Sequence, residues 1–493
     1  MNWDIRNFIK EYTEELNDGR AAIFAGAGLS VGAGVVSWKE LLRKDAENIG
    51  IDVELEHDLV SVAQYIYNES NSRNKITKLI KQHINTNGEI TENHKILADL
   101  PISVYWTTNY DEYIESSLKQ ANKIYDVKKS IQDLSTEMRN ASSTIYKMHG
   151  DINRASDAVL IKDDYEIYNR KNELFTLALK ADLISKTFLF IGFSFDDPNL
   201  ENILSRVRIM LEGNPRTHYC FFKEVDEMDA EFKNIQDSTK RKQKYEYARN
   251  KQRLKMKDLN RYGIKAILVK SYDEITEILR RIQQLYKCNN IFISGSHADK
   301  TDSEFRISGK PQSFITKLAF RLNINNFKVS TGFGLGVGSN LINGVLKAME
   351  KTKNISLDSS ITMRPFPIDI LDEVERKKAF YSYREIILKD SQITLFIFGN
   401  KIKDGKLINA DGVQEEFEIA AKEGKVIIPV GVTGYQSKLI WETINANFND
   451  YYHNLDHIRP LFNRLNETNV DEDELINIII EIINRIKKSY LNI

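Results

Sequence analysis

Four polar turns in the first half of the sequence contain residue types that can bind a nucleotide and move a proton. The turns are Gly26-Ala27-Gly28-Leu29-Ser30, Thr107-Thr108-Asn109-Tyr110-Asp111, Lys147-Met148-His149-Gly150-Asp151 and Gly192-Phe193-Ser194. A glycine turn between a strand and a helix lets backbone N–H groups approach a pyrophosphate. A histidine can accept a proton, and an asparagine can hold a water or a ribose hydroxyl. Each turn alone has a plainer explanation, but their order on successive strands favours one shared site.

The second half carries a different set of residues, rich in glycine and arginine. Small residues cluster between 332 and 339, where a strand passes into a helix. That composition leaves many N–H donors accessible, which suits a phosphate. Arg364 and Arg384 are candidates for bidentate phosphate contacts, and an ordinary surface ion pair is an equal alternative for each.

Short apolar runs alternate with helix-patterned stretches, and these elements must position the polar turns. In the first part the runs are 21–26, 102–109, 143–149, 187–194, 217–223 and 264–270. Most are continuously apolar, as expected for strands buried on both faces of a parallel sheet. The pattern restarts at 290–296 and continues at 327–333, 360–366, 393–399 and 425–431. It predicts an α/β fold with two tandem Rossmann-like parallel-sheet domains.

Two capped amphipathic helices mark the ends of these domains. Ser271 and Glu274 have capping-box spacing before a helical apolar pattern, and Asp471 and Glu474 repeat it near residue 490. We therefore place the domains at 1–287 and 288–493.

The composition limits the possible functions. The 493 residues include 69 basic and 70 acidic side chains, and the net charge of −1 argues against a nucleic-acid coat or a membrane-surface protein. Only Cys220 and Cys288 occur, too few for a four-cysteine zinc site. We therefore expect no resident metal. No signal-peptide pattern or membrane-length apolar stretch is present, so we expect a cytoplasmic protein. A basic run over 240–257 favours a solvated helix over a phosphate-tracking one.

The four polar turns of the first half resemble those of the sirtuin family. In that family the first turn binds the NAD diphosphate, the second holds the nicotinamide riboside, and the histidine is the catalytic base. The resemblance implies that NAD is bound by Ala25, Gly26, Ala27, Gly28, Ser30, Asp111 and Ser194. It also implies catalytic roles for Asn109 and His149.

Two departures from sirtuin deacylases change the expected reaction. Residues 34–38 read Gly-Val-Val-Ser-Trp where deacylases have Pro-Asp-Phe-Arg, and the two Cys-x-x-Cys zinc pairs beside the acyl-lysine groove are absent. Peptide deacylation is therefore not favoured. Cleavage of the nicotinamide–ribose bond by water fits what remains, so NAD is expected to be a consumed substrate and not a cofactor.

The second half resembles the SLOG domains, nucleotide-sensing relatives of the LOG phosphoribohydrolases. The Pro-Gly-Gly-x-Gly-Thr loop of the LOG enzymes is absent from 399–416, so we expect binding there and not catalysis. The residues expected to bind a signal nucleotide are Gly295, Ser296, Gly332, Phe333, Gly334, Leu335, Gly336, Arg364, Arg384, Gly399, Asn400 and Glu416.

A sirtuin-like half followed by a SLOG-like half is similar to the effectors of bacterial Thoeris anti-phage defence. The segments 147–151, 161–166, 192–200 and 330–339 carry this resemblance. It implies an NAD+ hydrolase that is activated when a cyclic ADP-ribose isomer, made by a TIR-domain partner, binds the SLOG domain. NAD depletion then stops the cell and the phage. The resemblance also implies a homo-oligomer, a tetramer or larger, with no membrane or nucleic-acid partner.

Two other functions stay open at the level of the sequence. An ADP-ribosyltransferase or deacylase using the same pocket would produce modified protein or deacylated lysine. A non-catalytic nucleotide-binding module would leave NAD intact, and salt-sensitive DNA retention through 240–257 would favour it.

Overall fold

The computed structural model describes residues 3–35, 37–56, 58–84, 88–195, 197–352, 356–367, 370, 372–453 and 455–491. The chain divides into two compact units, Met1–Gln283 and Gln284–Ile493. The domain boundary at residue 287 stays a prediction.

The first unit alternates strands with helices. Its strands are β1 (Ala21–Ala25), β2 (Val104–Thr107), β3 (Tyr125–Lys128), β4 (Ser143–Lys147), β5 (Thr187–Ile191), β6 (His218–Lys223) and β7 (Ile264–Val269). Its helices are α1 (Trp3–Asn17), α2 (Ala27–Val31), α3 (Trp38–Glu47), α4 (Leu59–Ser70), α5 (Arg73–Ile84), α6 (Glu92–Asp99), α7 (Tyr113–Gln120), α8 (Lys162–Lys171), α9 (Glu173–Ser185), α10 (Pro198–Met210), α11 (Ala230–Lys233), α12 (Ser238–Asn260) and α13 (Tyr272–Lys287).

The strands form one parallel sheet in the order β3-β4-β2-β1-β5-β6-β7. All residues of β1 and β5 are buried, which explains their continuously apolar sequences. β2 and β5 pair with opposite edges of β1, so the chain changes direction across the sheet at β1. Ligands of open α/β sheets bind outside the carboxyl ends of the strands at such a point. The four polar turns follow β1, β2, β4 and β5, which are adjacent strands.

The second unit repeats this architecture with a smaller sheet. Its strands are β8 (Asn290–Ser294), β9 (Lys328–Thr331), β10 (Ile361–Met363), β11 (Ile393–Phe396), β12 (Asn400–Lys403), β13 (Lys406–Asn409) and β14 (Val426–Pro429). Its helices are α14 (Pro311–Ile324), α15 (Gly338–Lys351), α16 (Leu357–Ser360), α17 (Glu373–Leu388), α18 (Asp411–Lys422), α19 (Tyr435–Ala446), α20 (Phe448–Tyr451), α21 (Arg459–Arg464) and α22 (Glu472–Leu491). The parallel sheet has the order β10-β9-β8-β11-β14, and β12 and β13 form a separate antiparallel hairpin.

The two parallel sheets confirm the predicted α/β fold of two tandem Rossmann-like domains. The predicted cap of α22 is present, since the Glu474 N–H donates to Asp471 at 2.8 Å. The prediction missed β3 and the β12–β13 hairpin. Charged residues interrupt the apolar pattern of these strands, although Asp404-Gly405 is a recognised hairpin-turn signal. Within the described parts of the chain, no helix is both long and apolar enough to cross a membrane.

Candidate functional site

The turn after β1 packs directly against the turn after β5. The Gly26 N–H donates to Ile191 O and the Gly28 N–H donates to Gly192 O, both at 2.9 Å. A Cβ on Gly26 or Gly192 would overlap the backbone of the other turn, and Gly192 has φ +65°. These glycines therefore permit a close backbone crossing. Both N–H groups already donate to backbone oxygens, so a diphosphate would have to replace those acceptors or bind other donors.

The Asn109 side chain joins the turn after β2 to the turn after β1. Its Nδ2 donates to Gly26 O at 3.1 Å and to Ser30 Oγ at 3.2 Å. The Asn109 N–H donates to Thr107 Oγ1 at 3.0 Å, and that hydroxyl donates to Ala25 O at 3.0 Å. The predicted residues Asn109, Ser30 and Gly26 are thus in direct contact, and Ala25 is the last residue of β1.

The Asp111 carboxyl lies in the same buried cluster. It accepts the Tyr113 N–H at 3.2 Å. Burial raises the pKa of Asp111 above its usual range, against the opposing effects of the Tyr113 N–H, the Ser30 hydroxyl and the Lys147 ammonium. A carboxyl with a raised pKa binds a proton more readily, and once protonated it can donate a hydrogen bond as well as accept one.

A buried lysine ties the turns after β2 and β4 together. Lys147 Nζ lies 2.6 Å from Asp111 O, 2.7 Å from Asp151 Oδ2 and 3.0 Å from Glu115 Oε1. The side chains of Lys147 and Asp151 are both fully buried. The carboxylates raise the pKa of Lys147 although its burial acts in the opposite direction. The ammonium therefore stays charged beneath the site.

His149 occupies a closed environment at the end of β4. Its side chain is 2% exposed, and Nε2 lies 3.1 Å from Asp197 Oδ2. The N–H direction is not aligned with that oxygen, so the contact is short without completing a hydrogen bond. The rings of Tyr165 and Tyr168 approach the imidazole edge-on, with centroids at 5.4 and 6.3 Å.

The strand register places Asn109 and His149 on neighbouring strand ends. Thr107 of β2 is paired with Lys147 of β4, and each candidate follows its paired residue by two positions. Ala27 begins α2, and Ser194 is exposed in the turn after β5. The structure thus gathers the NAD-site candidates along one edge of the sheet, and their roles stay predictions.

In the second unit the glycine segment crosses the turn after β8. The His297 N–H donates to Leu335 O at 2.7 Å. Cβ atoms on Gly295, Gly334 or Gly336 would overlap backbone, and Gly336 has φ +72°. Phe333 and Leu335 are 41% and 71% exposed, so this turn presents apolar side chains as well as backbone.

Arg384 is buried and is not a surface ion-pair residue. Its Nη1 lies 2.7 Å from Glu415 Oε2, and its guanidinium carbon lies 4.8 Å from the centre of the Phe366 ring. Ser294 Oγ donates to Glu416 Oε2 at 2.5 Å. Burial raises the pKa of Glu416 to about 7, against the opposing effects of Ser294 and Arg384.

The remaining signal-site candidates lie around the end of β11, with Gly332 after β9 and Arg364 after β10. Ser296 Oγ donates to Asn400 O at 2.7 Å, and Asn400 Oδ1 accepts the Ala298 N–H at 2.6 Å. Asn400 Nδ2 is buried without a partner. Gly399 precedes it with φ +94°. Arg364 is 43% exposed and lies 4.0 Å from Asp390, so its guanidinium is accessible.

Three other features bear on the sequence predictions. A cavity of about 770 Å³ lies at β7, between α1 and α12, and none of the candidate residues lines it. Cys220 and Cys288 are free and buried, and no group of metal-ligating side chains occurs among the described residues. The basic run lies on α12, where Arg241 approaches Glu227 at 3.7 Å; DNA binding there stays untested.

The sequence analysis gave no role to four charged residues that contact the candidate site residues or their backbone. Lys147, Asp151 and Asp197 stood inside the quoted motifs but had no assigned role, and Glu115 lies on α7 outside them. A signal existed for Asp197, because Asp followed by Pro is typical of a helix start. No local pattern pairs it with His149.

Comparisons with known proteins cover both units. A family model described as SIR2-like domain matches residues 103–250. One described as Sir2- and TIR-associating SLOG family matches residues 274–486.

Close relatives match along nearly the whole chain. A protein named NAD(+) hydrolase ThsA from Bacillus cereus (strain MSX-D12) is 43% identical over 489 residues, covering 98% of each chain. A protein of the same name from Cytobacillus dafuensis is 42% identical over 487 residues, covering 99% of this chain and 98% of its own. Defense-associated sirtuin 2 of Bacillus subtilis is 28% identical over 228 residues, which are 44% of this chain and 22% of that protein.

Proposed function

The chain belongs to the ThsA family of NAD(+) hydrolases, and we propose that its first unit cleaves the nicotinamide–ribose bond of NAD+ with water. The observation that carries this proposal is the placement of Asn109 and His149. They lie on adjacent strand ends, beside the glycine turn that a dinucleotide would need.

Each group has a distinct part in the proposed reaction. Breaking the bond leaves a cationic, oxocarbenium-like ribose and neutral nicotinamide. Asn109, once released from Gly26 O, can hold the ribose hydroxyls or the attacking water. His149 accepts the proton, a contribution typically worth about 10²–10⁴-fold in rate. Asp111, a buried carboxyl with a raised pKa, can hydrogen-bond the nicotinamide riboside.

We further propose that activity is gated by a cyclic ADP-ribose isomer bound in the second unit. Its pocket combines the glycine turn after β9 with Arg364, Arg384 and Glu416. The closed contacts of the first unit support gating, because Asn109 and the two glycine N–H groups are bonded within the protein. Changing an inactive-to-active ratio from 1:99 to 99:1 requires about 10⁴-fold tighter binding to the active state.

The biological setting in the proposal is anti-phage defence. A TIR-domain partner would make the signal on infection, and the activated protein, as a tetramer or larger assembly, would deplete NAD+ and stop the cell. Two of the similarities to known proteins support this setting. They are the TIR association of the matching SLOG family and the name Defense-associated sirtuin 2.

Nicotinamide release tests the proposal directly. Purified protein is mixed with NAD+, with and without cyclic ADP-ribose isomers, and nicotinamide and ADP-ribose are quantified. Asn109→Ala and His149→Ala should each lose at least about 10²-fold of the activated rate. The exposed His453, replaced by Ala, serves as the matched control and should behave as the unmodified protein.

The same assay separates the two units. Arg364→Ala should abolish activation while thermal unfolding stays unchanged, because the accessible guanidinium is removed without burying a charge. Full activity in Asn109→Ala and His149→Ala would refute the site. Label from NAD+ appearing on protein in place of free ADP-ribose would identify a transferase.

A further inference from the structure

Asp197 is the acidic group in contact with the His149 ring. It stands directly before α10, and its two carboxylate oxygens make separate contacts. Oδ1 accepts the Leu200 N–H at 2.9 Å, which caps the helix. Oδ2 faces His149 Nε2 at 3.1 Å.

The double contact holds the carboxylate in one orientation. Its side chain is 8% exposed, so the oxygen that faces the histidine is largely removed from water. Burial alone would raise the pKa of Asp197, but the His149 ring and the helix N–H groups lower it below the usual value. Asp197 is therefore an anion beside the imidazole.

The two ring nitrogens of His149 have different surroundings. Nε2 is fully buried on the Asp197 side. Tyr165 and Tyr168 close the ring edge-on, and both hydroxyls are protonated because burial raises their pKa values. With Nε2 facing Asp197, Nδ1 is the ring nitrogen that is left to face a substrate.

We propose that Asp197 is a positioning residue that holds His149 as the Nε2–H tautomer, so that Nδ1 carries the lone pair that accepts the proton. The idea rests on the proposed NAD+ hydrolysis. A carboxylate accepts hydrogen bonds only, so the ring nitrogen facing it must carry a hydrogen. Nε2 and Oδ2 are already within hydrogen-bond distance at 3.1 Å, so the bond requires only that the ring turn its N–H toward Oδ2.

The proton and electron balance is complete. The bond between C1′ and the pyridinium nitrogen breaks, and its electron pair neutralises nicotinamide. A water oxygen bonds to C1′, and its proton moves to Nδ1 of His149. The imidazolium is stabilised by Asp197 and then releases the proton to solvent. The products are ADP-ribose, nicotinamide and one proton.

Two substitutions at this position separate tautomer control from helix capping. In Asp197→Asn the oxygen still caps α10, so the amide N–H₂ faces Nε2 and favours the opposite tautomer. In Asp197→Ser the hydroxyl caps the helix, since serine is a good cap, and it does not force either tautomer. We expect kcat to fall about 10²–10⁴-fold in the Asn variant and less in the Ser variant, with KM changed by less than about threefold.

A merely structural role predicts the reverse order, because asparagine is the closer replacement in shape. Equal or higher kcat in Asp197→Asn than in Asp197→Ser would overturn the proposal. Asp237→Asn, the same change at the cap of α12, is the control and should keep the unmodified kcat. Nitrogen-15 shifts of His149 in labelled protein should show a protonated Nε2, and a protonated Nδ1 in Asp197→Asn. Absence of nicotinamide release from the activated unmodified protein would instead refute the hydrolase function, while the nitrogen shifts would still report the tautomer.

Discussion

Replacing Lys147 with methionine removes the charge that links the turns after β2 and β4. The methionine keeps most of the apolar volume, so the change tests the charge and not the packing. It leaves the Asp151 carboxylate, which is fully buried, with Lys129 at 3.1 Å as its remaining cation. It also removes the donor from Glu115 and from Asp111 O.

The structure sets the size of the effect. Breaking a buried ion pair by removing one partner costs about 3–5 kcal/mol, because the remaining charge stays desolvated. Burial already raises the pKa of Glu115, so its carboxyl gives up its charge more readily than an exposed one, which limits the cost. For a unit of this size, about 3 kcal/mol corresponds to a fall of about 6–12 °C in Tm.

The measurement is thermal unfolding followed by far-ultraviolet circular dichroism and calorimetry. The control is Lys39→Met, which removes an exposed ion pair with Glu54 at 3.2 Å and should lower the Tm far less, because exposed ion pairs contribute little to stability. The double variant Lys147→Met/Asp151→Asn should recover part of the loss, because the buried carboxylate that lost its ammonium is then replaced by a neutral amide.

A Tm for Lys147→Met within about 2 °C of the Lys39→Met value would refute the reasoning. It would mean that the buried carboxyl groups do not need the ammonium. Activated nicotinamide release should fall along with stability, since Lys147 holds the backbone that carries Asp111.

Two further predictions concern the buried carboxyl of Glu416 and the close backbone contact at Gly192. Burial raises the pKa of Glu416 in the folded protein from its ordinary value of 4.5 to about 7. The folded protein therefore binds the extra proton, and the free energy of unfolding should fall by about 3 kcal/mol as the pH rises from 4.5 to 7. Glu416→Gln should flatten that slope in urea unfolding at a series of pH values, and an unchanged slope would contradict the assignment. Gly192→Ala should cost about 2–6 kcal/mol because φ is +65° and the added Cβ overlaps Leu29 N. Gly213→Ala, with φ +81° and open space, should cost only about 1–2 kcal/mol, and equal losses in the two variants would refute the close crossing.

Kinetic measurements can distinguish variants of the proposed signal site from variants of the proposed catalytic site. On the proposed function, variants of Asn109 and His149 should lower turnover at every signal concentration. Variants of Arg364 should change only the response to the signal. A variant that shifts the signal concentration for half activation without changing the maximal rate therefore belongs to the second unit.

Local sequence was sufficient to identify the four polar turns and the strands that they follow. Continuous apolar runs identified the central strands because both faces of β1 and β5 are buried. The glycine turns, the helix caps and the likeness to the sirtuin and SLOG families were also visible, since each depends on residues close together in sequence. β3 and the β12–β13 hairpin were missed because polar residues interrupt their apolar pattern.

Pairings between distant residues were decided only by the tertiary structure. The sequence shows that His149 follows a strand and that Asp197 precedes a helix. Only the order of strands in the sheet brings the end of β4 and the start of α10 together. The same holds for Lys147 and Glu115, whose charges tolerate burial only as partners. A local pattern reports which face of an element is apolar. Which buried charges meet is set by strand order and by the cost of leaving either one unpaired.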